Sequence, residues 1–123
     1  MSQNPKILAV ENYIQGLCES NLDKILSLYA DDATVEDPVG TEPRKGMAAI
    51  TEFYNMAISS KITAKLEGPV RIAGPHALFP FSITMDFGES TMNIDVIDQF
   101  TFNDDNKIIS MKAFWGEENS RMS

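Results

Sequence analysis

Two aspartates, at positions 98 and 37, sit where packing alone does not account for them. Thr91 to Phe102 alternates with period two and reads as a strand. One face carries Met92, Ile94, Val96, Asp98, Phe100 and Phe102; the other carries Thr91, Asn93, Asp95, Ile97, Gln99 and Thr101. A register slip of one residue would expose every apolar partner of Asp98, so the pattern fixes the side it occupies. A carboxylate on a core face must find a cation or give up its charge. Two readings follow: a structural one, in which a bulge turns Asp98 outward or a Lys or Arg neutralises it, and a functional one, in which it is an acid group of a site. Thr34-Val35-Glu36-Asp37 is held extended by Pro38, which disfavours helical angles in the residue before it. Val35 and Asp37 then share a face, and an inward Val35 places Asp37 at the mouth of whatever the sheet encloses. The competing reading makes Asp37-Pro38-Val39-Gly40 a solvated turn. Acid groups paired across an apolar space serve proton transfer.

The hydroxyls are few. The chain has three tyrosines, Tyr13, Tyr29 and Tyr54, each on an apolar helical face. They read as core aromatics with hydroxyls reaching a rim, or as members of a site. The one cysteine, Cys18, reads as a small buried residue at the end of the first helix, and the one histidine, His76, as a turn residue after Gly74-Pro75. One thiol makes no internal disulfide, which points to a reducing, cytoplasmic compartment. Zinc sites draw on several Cys and His, so none is expected, while the count leaves an oxygen-ligated metal open.

The elements that must hold these groups come in two blocks. Asn4-Pro5 reads as a cap followed by proline at the first helical position. Ile7, Val10, Tyr13, Ile14 and Leu17 then form one stripe. Leu22, Ile25, Leu26 and Tyr29 give a second, shorter helix with Ser20 and Asp23 as a weak capping pair, and the two helices form a hairpin. Thr41 to Gly46 reads as loop. Ile50, Phe53, Tyr54 and Ala57 mark a third helix. From Lys61 the period becomes two: Ile62, Ala64 and Leu66; Val70 and Ile72; Ala77, Phe79, Phe81, Ile83, Met85 and Phe87; the strand of Asp98; and a last strand with Ile109, Met111, Ala113 and Trp115 on one face. Three helices followed by strands joined through tight turns predict an α+β fold, with helices packed in a curved, mostly antiparallel sheet. The sheet forms a cone with an apolar cavity, its inner face lined by residues such as Phe81, Val96, Met111 and Trp115. Leu78, Pro80 and Ile97 on the outer face suggest a partner subunit.

The 123 residues fit one domain, 1–123. The formal charge of −8, from 18 acidic and 10 basic residues, argues against nucleic acid and anionic membrane surfaces and favours a neutral ligand. No apolar run reaches transmembrane length, and Met1-Ser2-Gln3-Asn4 lacks the features of a signal peptide.

The run Leu28-Tyr29-Ala30-Asp31-Asp32-Ala33-Thr34-Val35-Glu36-Asp37-Pro38-Val39-Gly40 closely resembles the bacterial steroid Δ5-isomerases, or ketosteroid isomerases. The resemblance continues through Glu42-Pro43-Arg44, Gly46 and Glu52-Phe53-Tyr54. It returns at Ile97-Asp98, Phe100 and Phe102, and ends at Ser110-Met111-Lys112-Ala113-Phe114-Trp115-Gly116-Glu117. It covers nearly the whole chain and implies the cone-like α+β fold shared with nuclear transport factor 2. It also implies a homodimer, a small apolar ketosteroid substrate and no cofactor or metal. By resemblance Asp37 matches the general base, Tyr13 the first oxyanion donor and Asp98 the second donor, kept protonated. An acid kept neutral is a known property of that family and enters here with the resemblance. Tyr54 and Tyr29 match supporting hydroxyls, with at least Tyr54 donating towards Tyr13; plain packing is the other reading for both. Trp115 is expected to line the cavity near Asp37, as a wall or through its indole N–H.

Other activities are known on this fold. Dehydratases and cyclases generally use a histidine, and here the only one is His76. Epoxide opening wants an Asp–Arg–Asp cluster, and the core-facing strand positions carry no arginine. A non-catalytic binding module for apolar ligands is a further alternative, although such a cavity has no reason to bury one carboxyl opposite another.

Overall fold

The computed structural model describes residues 4–123; the signal-peptide reading of Met1 to Gln3 lies outside them. The elements are α1 (Pro5–Glu19), α2 (Leu22–Leu26), β1 (Tyr29–Glu36), β2 (Arg44–Lys45), α3 (Met47–Ala57), β3 (Lys61–Leu66), β4 (Arg71–Ala73), β5 (His76–Asp86), β6 (Thr91–Phe102), β7 (Ile108–Phe114), a 3-10 turn (Glu117–Asn119) and β8 (Ser120–Met122). Helices and sheet make the expected α+β class.

The Asn4 side chain accepts the Lys6 N–H at 2.9 Å, so α1 starts where the cap and proline predict. Its inward stripe of Val10, Tyr13 and Leu17 is buried. Ser20 closes α1 in the left-handed conformation (φ 53°) and cannot also cap α2. Asn21 does so instead, accepting the Lys24 N–H at 3.1 Å. The Ser20–Asp23 expectation is therefore corrected. Gly16 lets the two helices meet: a Cβ there would lie 2.9 Å from Ile25 Cγ1. The short helix stops at Leu26, so Tyr29, expected on its face, opens β1 instead, where it is buried.

The sheet runs β2-β1-β7-β6-β5-β3, with β4 beside β5 and β8 beside β6. Every pairing is antiparallel except β1–β7, which is parallel. The β5–β6 hairpin dominates, in register from His76↔Thr101 to Asp86↔Thr91. On β6 the expected alternation holds: Ile94, Val96, Asp98, Phe100 and Phe102 are buried, Met92 half-buried, and Asp95 and Ile97 exposed. Burial on alternate positions of β5, β6 and β7 places the core between their inner face and the helices.

Several local readings change. A register shift beside Thr101 and Phe102 makes Ile109 a bulge residue, so Ile108 is buried and Ile109 exposed. Phe87 lies past the end of β5 and is exposed. His76 is the first residue of β5, with Nδ1 3.0 Å from Thr101 Oγ1. Cys18 is exposed, not buried. Its Sγ lies 3.3 Å from both the N–H and the C=O of Ala64, which it serves as acceptor and donor on the free edge of β3. The loop assigned to Thr41–Gly46 contains β2, and β8 was not anticipated. Among the described residues no helix is long and apolar enough to cross a membrane.

Candidate active site

A cavity of about 310 Å³ lies between α1, α3 and the inner face of the sheet, at the small end of the range for ligand sites. Tyr13, Tyr54 and Asp98 line its closed end; Asp37, Arg44 and Trp115 line its open end together with the exposed Met56. Phe81 and Val96 face each other across β5 and β6 and form part of the wall. Met111 is fully buried against Phe100 on the next strand and is not among the lining residues, unlike the other three wall positions expected.

The alternation of β6 turns Asp98 inward, and it is 1% exposed. Its strand neighbours are Phe79 on β5 and Ala113 on β7, neither of which offers a side-chain donor. Among the described residues Oδ1 has no hydrogen-bond partner and no cation pairs with the carboxyl. Burial pushes its pKa well above the usual carboxylate range, and the charge of Asp37 adds to the rise. The structural reading, with Asp98 turned outward or neutralised, does not apply.

Three tyrosine hydroxyls converge beside it. Tyr54 donates to the Tyr13 oxygen at 3.1 Å. The Tyr29 and Tyr54 oxygens are 2.5 Å apart. Each hydroxyl has one proton, so with Tyr54 donating to Tyr13, Tyr29 must donate to Tyr54. The chain therefore points one way, from Tyr29 through Tyr54 to Tyr13, and leaves the Tyr13 proton free to donate. The Tyr13 ring is held edge-on by Phe79, Phe81 and Phe100, with centroids 5.1–6.5 Å away. Burial raises the pKa of all three phenols well above the usual tyrosine value; for Tyr13 the next cause is Asp98. All three are neutral donors at ordinary pH.

Asp37 follows β1 directly and is half-buried, sharing the inward side with Val35. The Trp115 indole N–H, just beyond β7, donates to Asp37 Oδ1 at 2.8 Å. Burial raises the Asp37 pKa, while the Trp115 hydrogen bond and then the Arg44 charge pull it back. The cavity thus holds one carboxyl with no hydrogen-bond partner among the described residues and one whose charged form a donor and a nearby cation favour.

Arg44 was missed as a lining residue. It sits on a two-residue strand, too short for any periodicity, and its guanidinium lies over the Phe53 ring at 4.6 Å. The expectation that core-facing strand positions carry no arginine is corrected at Arg44, which lines the cavity from β2. Arg44 makes no ion pair among the described residues. The described residues also contain no cluster of three or more His, Cys, Asp or Glu placed to hold a metal ion.

Residues 10–111 match the model of the SnoaL-like domain. A steroid Δ-isomerase of Nocardioides simplex is 41% identical over 107 residues, which cover 87% of this chain and 86% of that protein. Among solved structures, SalBIII, described as an epoxide hydrolase/cyclase-like enzyme in pyran ring formation in salinomycin, superposes with a TM-score of 0.87. It is 28% identical, over 94% of this chain and 93% of that one. Rv0760c of Mycobacterium tuberculosis superposes with a TM-score of 0.91 over 100% of this chain and 99% of that one; at 19% identity it speaks for the fold alone. The fold is nuclear transport factor 2-like.

Proposed function

The chain belongs to the SnoaL-like domain family, and from that premise we propose that it is a steroid Δ-isomerase, moving the C5–C6 double bond of a 3-oxo-Δ5-steroid into conjugation. The observation that carries this reading is the pair of carboxyls in one apolar cavity, one orphaned beside the end of a hydroxyl chain and the other held by an indole. Identity of 41% to a steroid Δ-isomerase supports it.

In this reading the ketone oxygen enters the closed end and meets the O–H of Tyr13 and the O–H of protonated Asp98. Asp37 takes the proton from C4, the carbon between the ketone and the double bond. The C–H electrons form the dienolate, whose charge gathers on the oxygen between the two donors. Asp37 then returns the same proton to C6, and the C4–C5 double bond forms as the carbonyl is restored. A charged Asp98 would repel that oxygen; a protonated one donates to it. A well-placed donor of this kind is worth about 10²–10³ in rate. Tyr29 and Tyr54 polarise Tyr13 through the hydroxyl chain. Phe81, Val96 and Trp115 flank the rings. No cofactor takes part in this proton shuttle. The half-exposed apolar residues of the outer face, Leu78, Pro80, Ile97 and Phe114, are assigned to contact with a second copy of the chain.

Arg44 and the SalBIII likeness favour one other reading, epoxide opening. It requires an arginine bound to the acids, and Arg44 pairs with neither. Incubation with a Δ5-3-ketosteroid separates the two. Growth of conjugated-enone absorbance supports the isomerase; its absence, with turnover of an epoxide, supports the alternative.

A further inference from the structure

The mechanism above leaves Arg44 unused, although it lines the same cavity. Its place follows from strand pairing. Arg44 is the direct antiparallel partner of Val35, and directly opposed residues project to the same side. Asp37 follows one residue past the end of β1, on the side of Val35, and it lines the same cavity as Arg44. The guanidinium is seated on the Phe53 ring from α3, 4.6 Å from its centroid. On that seat it forms no ion pair with Asp37 among the described residues, and the Asp37 Oδ1 is held by the Trp115 indole instead.

We propose that Arg44 is a positioning residue for Asp37, a cation seated on Phe53 at the cavity wall whose charge favours the ionised base without itself bonding to the carboxylate. This rests on the assignment of Asp37 as the base. An ion pair in its place would occupy the base, and loss of the cation would leave the Trp115 donor alone to oppose burial. The direction of Arg44's influence on Asp37 agrees. The other polar groups that share the cavity with Asp37 are the Trp115 indole beyond β7, Asp98 from β6, and the Tyr13 and Tyr54 hydroxyls, with Tyr29 behind Tyr54. Adjacent Glu36 is engaged elsewhere, accepting the Gly40 N–H at 2.8 Å. Arg44 is thus the one cation acting on this site among the described residues.

The test titrates Asp37 directly, by the NMR shift of its carboxyl carbon in protein labelled at aspartate, with Asp37→Asn identifying the signal. Emission of Trp115, the chain's single tryptophan and a donor to Asp37, gives a second readout without substrate. In Arg44→Met the midpoint moves to higher pH, and the ionised fraction below the wild-type midpoint falls about three- to tenfold, in line with a through-space charge and not a direct pair. Arg44→Lys restores most of this, and Arg44→Gln behaves as Met does if the Met variant fails to fold. The isomerase profile of kcat/KM against pH shifts by the same amount, with wild type and variant converging at high pH. An unmoved midpoint in Arg44→Met or Arg44→Gln overturns the proposal, and equal loss of activity at every pH then marks Arg44 as packing. A moved midpoint in a protein that never turns over ketosteroid leaves the Arg44 assignment standing and removes the isomerase.

Discussion

At the closed end of the cavity Asp98 is walled by Phe79 and Ala113 on its neighbouring strands, and its Oδ1 has no partner. At the open end Asp37 receives an indole N–H and feels a cation across the sheet. Burial raises both pKa values, yet only Asp37 has groups that oppose the rise. The surroundings of two identical side chains in one cavity thereby favour different forms, the neutral one at the closed end and the charged one at the open end. The lesson is that the number of carboxyls says little; what divides their roles is whether the neighbours stabilise the charged form or leave it alone.

That contrast can be broken at either end. The largest effect is expected at the open end: Asp37→Asn lowers isomerase turnover by about 10²–10⁴ while steroid binding, followed by equilibrium titration, persists. Comparable loss of binding would make Asp37 a structural residue. At the closed end Tyr13→Phe and Asp98→Leu each lower kcat by about 10²–10³, with KM little changed in steady-state kinetics. Trp115→Phe removes the donor to Asp37, so kcat/KM falls about tenfold below the Asp37 midpoint and recovers at high pH. Tyr54→Phe interrupts the hydroxyl chain without removing Tyr13 and costs less, about two- to tenfold in kcat.

Stability sharpens the same comparison. The folded-state pKa of Asp98 is raised, so the native protein holds its proton where the unfolded chain, titrating near 3.9, has lost it. This contribution is complete below the unfolded value and is lost as pH rises towards the folded one, at about 1.4 kcal/mol per pH unit within that window. Asp98→Asn lacks the titration. Denaturant midpoints should therefore fall with rising pH in wild type relative to the variant; parallel profiles would mean that Asp98 is not buried as an acid.

The closed end was legible because long regular elements build it. Twelve alternating residues of β6 fixed the side of Asp98, and Asn4-Pro5 with the stripe of α1 fixed Tyr13. The open end was less so, because short or irregular pieces make it. Arg44 sits on a two-residue strand held by pairing to β1, and no local pattern marks a strand that tertiary contacts alone create. One closed-end residue was misread as well: Tyr29 was placed on a helix because Leu22, Ile25 and Leu26 precede it at helical spacing, while pairing with β7 claims it for β1. The bulge at Ile109 reversed the expected face for one residue, and the free edge of β3 drew Cys18 out of the core. The proposed activity came from the resemblance, supported by residues whose placement the periodicity constrains.

The difference in protonation between the two ends can be observed without substrate. Carboxyl-carbon NMR of aspartate-labelled protein at neutral pH, with Asp98→Asn and Asp37→Asn assigning the two signals, should show Asp98 as a protonated acid and Asp37 as a carboxylate. Finding Asp98 ionised at that pH would contradict the claim that the closed end holds a neutral proton donor.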